Sequence, residues 1–221
     1  MDDPRWVAVD HYVDDLLALR QPEAEEILRA SDAAGLPAIN VAANQGRLLE
    51  LFARAMQARR VLEIGTLGGY STWWLARALP HDGTLVTLEF DPHHCAVARA
   101  NLDRAGVGHL VQIIPGPGAT SLARLIENSS PPFDLVFIDA DKESYPQYFT
   151  LVMELVHAGS VIVADNVVRN GAVASDAADD PRVEGVRRFL AAVAHDDRVR
   201  ATAVQTVGAK GYDGFAYLVV R

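Results

Sequence analysis

The chain has 221 residues, half of them hydrophobic and 22% charged, with a formal net charge of -9 at pH 7; this composition suits one globular domain with a sizeable core. That acidity excludes a partner read through its phosphate backbone, since nucleic-acid binding needs a concentrated basic face and Arg59-Arg60 and Arg187-Arg188 are isolated doublets. A single cysteine, Cys95, leaves no internal disulfide, and without a basic apolar leader or a run near about 18 apolar residues the expected setting is cytoplasmic and away from membranes.

Residues 1–57 read as a helical cap. Ser31-Asp32 and Gly35-Leu36-Pro37 punctuate two amphipathic runs, and 45–57 places Leu48, Leu49, Leu51, Phe52, Ala55 and Met56 close to a helical period. From residue 58 the pattern becomes an α/β core. Apolar strands are expected at 60–64, 84–89, 111–114, 133–138 and 160–164, with helices at 71–79, 92–105, 120–127 and 145–157. Strands without polar alternation, interleaved with helices, predict a doubly wound parallel sheet covered on both faces. After a helix at 183–194, two strand-like runs at 199–207 and 214–220 are joined through Gly208 and Gly211. That link is too short for a helical crossover, so the last pair is antiparallel. The chain shows no internal repeat or low-complexity segment. Trp73-Trp74 reads as packing inside a helix that follows a strand.

Val61-Leu62-Glu63-Ile64-Gly65-Thr66-Leu67-Gly68-Gly69-Tyr70-Ser71-Thr72 is a strand, a glycine-rich turn and a helix start. Glycines permit positive φ and close ligand approach, and the helix N-terminus offers free N–H groups to a carboxylate or phosphate. Gly65, Gly68 and Gly69 do not satisfy the G-x-G-x-x-G spacing, which weighs against a dinucleotide. The next predicted strand ends on Glu89, where a carboxylate can accept from both hydroxyls of a ribose or, more simply, cap the helix beginning at Pro92.

Two strands stop on oxygen ligands: Phe137-Ile138-Asp139-Ala140-Asp141-Lys142 and Val163-Ala164-Asp165-Asn166. If they neighbour one another in a parallel sheet, about 4.8 Å apart, Asp139, Asp165 and Asn166 converge at one rim. Two carboxylates and an amide fill half of an octahedral shell around a hard cation such as magnesium, leaving room for a water and two adjacent substrate oxygens. Lys142, three residues past Asp139, stands as a candidate base. Each acid taken alone could instead cap the element that follows. His93-His94-Cys95 is no second cluster, because consecutive helical residues point about 100° apart.

Glu63-Ile64-Gly65-Thr66-Leu67-Gly68-Gly69-Tyr70-Ser71, Phe137-Ile138-Asp139-Ala140-Asp141-Lys142-Glu143-Ser144-Tyr145 and Asp165-Asn166 together resemble the cation-dependent, S-adenosylmethionine-dependent O-methyltransferases, the group that includes catechol and caffeoyl-CoA O-methyltransferases and small bacterial relatives. The likeness runs from about Ile39 to the C-terminus. It implies the Rossmann-like seven-stranded class I methyltransferase fold and a homodimer. By position it makes Asp139, Asp165 and Asn166 ligands of Mg2+ (or Mn2+ or Ca2+) and Lys142 the base. It gives the methionine end of the cofactor to Glu63, Gly65, Thr66 and Ser71 and the ribose to Glu89. Gly118 and Asp141 would lie near the adenosine, Val41 over the sulfonium, and Tyr148 against the acceptor, while Asp139 would touch the cofactor as well as the cation. The implied acceptor is a small phenolic molecule with vicinal hydroxyls. Where relatives carry an aromatic residue shortly after the Asp-Asn pair, this chain has Val167-Val168-Arg169-Asn170; Arg169 could favour an acidic acceptor or point to solvent. Lys210 and Tyr212, near the acceptor side, receive no role. Two rival readings are a non-catalytic cofactor-binding regulator and an NAD(P)-dependent oxidoreductase. The regulator needs neither the ligand set nor Lys142, and the oxidoreductase lacks its glycine spacing.

Overall fold

A computed structural model describes residues 3–175 and 179–221. Its seven strands form one sheet in the order β3-β2-β1-β4-β5-β7-β6. Strands β1 (Arg60–Ile64), β2 (Thr84–Glu89), β3 (Val111–Pro115), β4 (Phe133–Ile138) and β5 (Val156–Asp165) run parallel, and β7 (Gly211–Val220) lies antiparallel between β5 and β6 (Val199–Gly208). The chain leaves β1 toward one edge and returns to β4 on the other side. That reversal opens a crevice at the carboxyl ends of β1 and β4, the place where open α/β sheets bind ligands.

Alternation along the strands divides the core. Leu62, Ile64, Val136, Ile138 and Ile162 face one layer; Val61, Leu135, Phe137 and Val163 face the other. The first layer is closed by α6 (Gly118–Glu127), α7 (Tyr145–Val152) and α8 (Pro181–Ala194), the second by α2 (Pro22–Ala33), α3 (Ala43–Ala55), α4 (Tyr70–Ala76) and α5 (Pro92–Arg104). Trp73 and Trp74 are buried in the second layer. Gly46 lets α3 lie flush on α4, since a Cβ there would stand 2.3 Å from the Trp74 ring.

Three helices begin with the same dipeptide. Asp3-Pro4, Asp91-Pro92 and Asp180-Pro181 open α1 (Pro4–Leu16), α5 and α8, each aspartate accepting the N–H two residues on at 2.7–2.9 Å. Proline loses nothing at the first helical position, where its missing N–H has no partner anyway. A different aspartate ties the cap to the hairpin. Asp10 of α1 accepts from the Asn44 side chain at 2.9 Å and from the N–H of Ala209, in the β6–β7 turn, at 2.7 Å.

The structure corrects the helix expected at 145–157, which ends at Val152, while β5 begins at Val156 rather than at residue 160. Leu151, Val152, Leu155 and Val156 carry helical spacing, but the N–H of Phe133 donates to the Leu155 carbonyl at 2.8 Å and Val156 pairs with Phe133. Satisfying the start of β4 outweighs one more helical turn.

At the opposite rim from the crevice, Asp134 accepts the N–H groups of Arg59 (2.7 Å) and Arg60 (2.8 Å) and faces Nε2 of His157 (3.0 Å), whose Nδ1 meets the Ala158 carbonyl at 2.8 Å. Both ring nitrogens face acceptors, so this geometry suits the imidazolium. The Ala158 carbonyl first, then Asp134, raise the His157 pKa above its usual value. A raised histidine stabilises fully below its unfolded pKa of about 6.5 and loses that contribution as pH climbs through the folded value. His157 is largely exposed, so solvent screening holds the effect to about 1 kcal/mol or less. Thermal melts from pH 6 to 8 should decline less steeply in His157→Gln than in the wild type; parallel curves would contradict this.

Candidate active site

The crevice opens into a cavity of about 960 Å³, walled by the ends of β1, β2 and β4, by Val41 of the cap and by the loop after β5. Its floor follows from strand register. Ile64 pairs with Leu88 and Ile138, and the ladder continues past the strand ends: Gly65 N–H donates to the Leu88 carbonyl (2.9 Å) and Asp139 N–H to that of Ile64 (2.8 Å).

With its neighbours so close, Gly65 has φ +102° and no space for a side chain; a Cβ would lie 2.1 Å from the Asp139 carbonyl oxygen. Gly65→Ala should therefore cost roughly 3 kcal/mol in strain and overpacking, a fall of about 10 °C in Tm for a chain of this size. A wild-type melting curve would show that the turn relaxes freely.

Glu63 is fully buried beneath that turn and does not itself line the cavity. Register sets it beside Thr87, and its carboxylate accepts from Thr87 Oγ1 (2.7 Å), Ser71 Oγ (2.6 Å) and the Thr72 hydroxyl. Burial pushes its pKa up to about 7, against the pull of the three hydroxyls. Ser71, which does reach the cavity, is thus held from behind by Glu63. Glu89 is also engaged: it accepts from Thr66 N–H (3.1 Å), Leu67 N–H (2.8 Å) and Asp91 N–H (3.0 Å). The cap of α5 belongs to Asp91, so Glu89 organises the glycine turn while facing the cavity. Thr66, Val41 and Gly118 line the same space. The Tyr148 hydroxyl donates to Asp141, and its ring packs on Gly118, where a Cβ would come within 3.1 Å. Tyr148 thus borders Gly118 and Asp141 on the cavity.

The pairing of Ile138 with Ala164 brings the ends of β4 and β5 side by side and makes Asp139 and Asp165 neighbours. Asp139 and Asn166 line the cavity; Asp165, 4% exposed, lies just behind them. Burial first, and then the charge of Asp139, push the Asp165 pKa up to about 7. One Asp165 oxygen accepts the Asn166 N–H at 2.9 Å, with Asn166 in the left-handed region at φ 57°.

Lys142 is buried except for a small face on the cavity. Nζ donates to Asp139 Oδ1 and to the Tyr145 hydroxyl, both at 2.8 Å. The Tyr145 oxygen is in turn 2.9 Å from the Ile138 carbonyl and 3.0 Å from that of Asp165. Tyr145, fully buried, thus pins the lysine to the ends of both strands. Sequence reasoning assigned it no role; the signal was its place three residues after Lys142 on the same short turn. Gln45, at the start of α3, is a second residue missed, its side chain close enough to Asp165 to pull that carboxyl's pKa down against its burial. Gly185 of α8 lets the Lys142 turn dock, since a Cβ would stand 2.2 Å from the Lys142 carbonyl oxygen.

The donor set fits a hard cation by its chemistry: two adjacent carboxylates, one buried, plus an amide, with no nitrogen or sulfur ligand. Among the described residues no group of three His, Cys, Asp or Glu side chains could hold a metal; Asn166 completes this set as its third member, and His93-His94-Cys95 forms no cluster. No helix among them is long and apolar enough to cross a membrane.

Comparison with known proteins agrees with this architecture. The chain is 47% identical to a protein of Niastella koreensis named catechol O-methyltransferase, over all of both chains. Its fold superposes with a TM-score of 0.96 on the O-methyltransferase from Bacillus cereus in complex with SAH, at 47% identity and 99% coverage of each chain. It superposes with a TM-score of 0.95 on the O-methyltransferase TomG from Streptomyces achromogenes, involved in tomaymycin synthesis and solved with SAM, at 46% identity and 100% and 99% coverage. A family model described as O-methyltransferase matches residues 18–214, and on that match and these full-length likenesses the chain belongs to the O-methyltransferase family.

Proposed function

We propose that the protein transfers a methyl group from S-adenosylmethionine to one hydroxyl of a vicinal dihydroxy aromatic, with the help of a divalent cation. The observation that carries this reading is an oxygen-only donor set, Asp139 and Asn166 on the cavity with Asp165 behind them, beside Lys142. The name of the Niastella koreensis relative and the SAH and SAM in the two solved relatives point the same way. When bound, the sulfonium supplies an activated methyl and the cation, Mg2+ or another such as Mn2+ or Ca2+, favours the charged form of a phenol whose pKa is otherwise about 10.

The remaining work falls to the chain. Gly65, Thr66 and Ser71, the last steadied by Glu63, hold the amino-acid end of the cofactor. Glu89 takes the ribose, Gly118 and Asp141 flank the adenosine, Val41 closes over the sulfonium from the cap, and Tyr148 meets the acceptor. Asp139, Asp165 and Asn166 hold the cation. Lys142 receives the phenol proton at Nζ. In its neutral form two N–H bonds stay with Asp139 and Tyr145, and the third tetrahedral direction carries the lone pair for the substrate. Alignment of oxygen, methyl carbon and sulfur between these fixed groups supplies much of the rest.

The protein acts as a cytoplasmic homodimer in this reading. Val9, Tyr12 and Leu16 form one exposed stripe on α1, beside the edge strand β6, an apolar surface that a second copy would cover. Mass spectrometry tests the chemistry. A catechol incubated with the protein, S-adenosylmethionine and magnesium should gain one methyl as S-adenosylhomocysteine forms in equal amount; cofactor binding without methylated diol would leave only the regulator reading.

A further inference from the structure

Arg169 lies on the cavity wall past Asn166, its backbone at φ 55°. The loop is fixed by Asp213, whose Oδ1 accepts the N–H groups of Val168 (3.0 Å) and Arg169 (2.9 Å). Among the described residues the guanidinium itself is not satisfied. Nη1 stands 3.9 Å from Asp213 Oδ2, an ion-pair distance beyond hydrogen-bond reach, and Nε is buried without a partner. Among the described residues the Arg169 side chain donates no hydrogen bond, although it is only 23% exposed. Arg182, on the same wall, is locked fork to fork with Asp180 through Nε to Oδ1 (3.1 Å) and Nη2 to Oδ2 (2.8 Å). The two arginines thus differ in what they still have to give.

A planar cation with unused donors, partly withdrawn from water at a cavity wall, is an arrangement that recognises a carboxylate. Asp139, Asp141 and Glu143 also line the cavity, and of the cations there Lys142 is bonded to Asp139 and Arg182 to Asp180, which leaves the Arg169 guanidinium to meet an anionic substituent. We propose that Arg169 is a specificity-determining residue that selects acceptors bearing a carboxylate, on the ring or on a short side chain, over uncharged ones of the same shape. The inference rests on the catechol reading of the site and names the acceptor class within it. A charge-assisted hydrogen bond of this kind corresponds to a preference of about 10- to 100-fold.

The test pairs two measurements on the full chain with cofactor product or cofactor bound. The first is kcat/KM for 3,4-dihydroxybenzoate and its methyl ester, with magnesium. The second is the calorimetric Kd of 3,4-dimethoxybenzoate and its methyl ester, which have no hydroxyl to methylate. Wild type should prefer the acid by at least about tenfold in both, Arg169→Met should lose that preference, and Arg169→Lys should recover part of it. A wild type that favours the ester, or an Arg169→Met variant that keeps the preference, overturns the proposal. If neither catechol is methylated the catechol reading fails, and the calorimetric pair still decides: acid preference that disappears in Arg169→Met upholds the carboxylate site, equal binding refutes it. Should Arg169→Met melt early, Arg169→Gln takes its place.

Discussion

Lys142→Met should lower kcat by about 10²- to 10⁴-fold, the range removed with a general base, while the calorimetric affinity for S-adenosylmethionine stays within about threefold. Methionine matches the length of the lysine stem and fills the same buried channel, so the expected loss is chemical rather than steric. What disappears is the nitrogen held at 2.8 Å from both Asp139 and the Tyr145 hydroxyl. The carboxylates assigned to the methionine end and the ribose do not depend on it: Glu63 is held by Ser71, Thr72 and Thr87, and Glu89 by the amides of Thr66, Leu67 and Asp91. The split between kcat and cofactor affinity is therefore the readout. Retained kcat would show that the phenol proton leaves by another route, and equal loss of affinity would make Lys142 a structural strut.

Asp165→Ala should abolish activity and its dependence on a divalent cation together, with turnover reduced at least about 10³-fold, the scale on which a charge-stabilising element acts. Stability should move differently. Asp165 is a buried carboxylate beside a second one, Asp139, with Lys142 as the cation closest to both. Removing it relieves like-charge repulsion and a desolvation cost, at the expense of a small void and the Asn166 N–H bond. The variant should melt no more than a few degrees below wild type in the absence of metal, and magnesium should no longer raise its Tm. A site that costs stability when empty is expected of a binding site kept for chemistry. Full, metal-independent turnover in Asp165→Ala would remove the mechanism.

The strands were legible because β1, β2 and β4 are buried on both faces and carry unbroken apolar runs, and the rim was legible because Asp139 and Asp165-Asn166 end two such runs. The limits of α8 were less so. Its start at Pro181 rather than residue 183 lay in the Asp180-Pro181 cap, a local signal repeated at Asp3-Pro4 and Asp91-Pro92. The early start of β5 was hidden for a different reason, since helical spacing at Leu151 to Val156 competes with a pairing to Phe133 that no local window contains. Tyr145 and Gln45 belong to the same class. The Tyr145 hydroxyl matters because it meets the last carbonyls of β4 and β5, and Gln45 because α3 begins close enough to Asp165 to act on its charge; both need long-range packing. The guanidinium of Arg169, without a hydrogen-bond partner among the described residues, is likewise a property of its neighbours, not of the residues beside it in sequence.

The most direct measurement is methyl transfer from S-adenosylmethionine to a panel of catechols by the wild-type protein, run with magnesium and with EDTA. Mono-methylated catechol formed with magnesium and lost in EDTA, then restored by excess cation, is the predicted result. Equal methylation in both conditions, or none in either despite bound cofactor, would contradict the account.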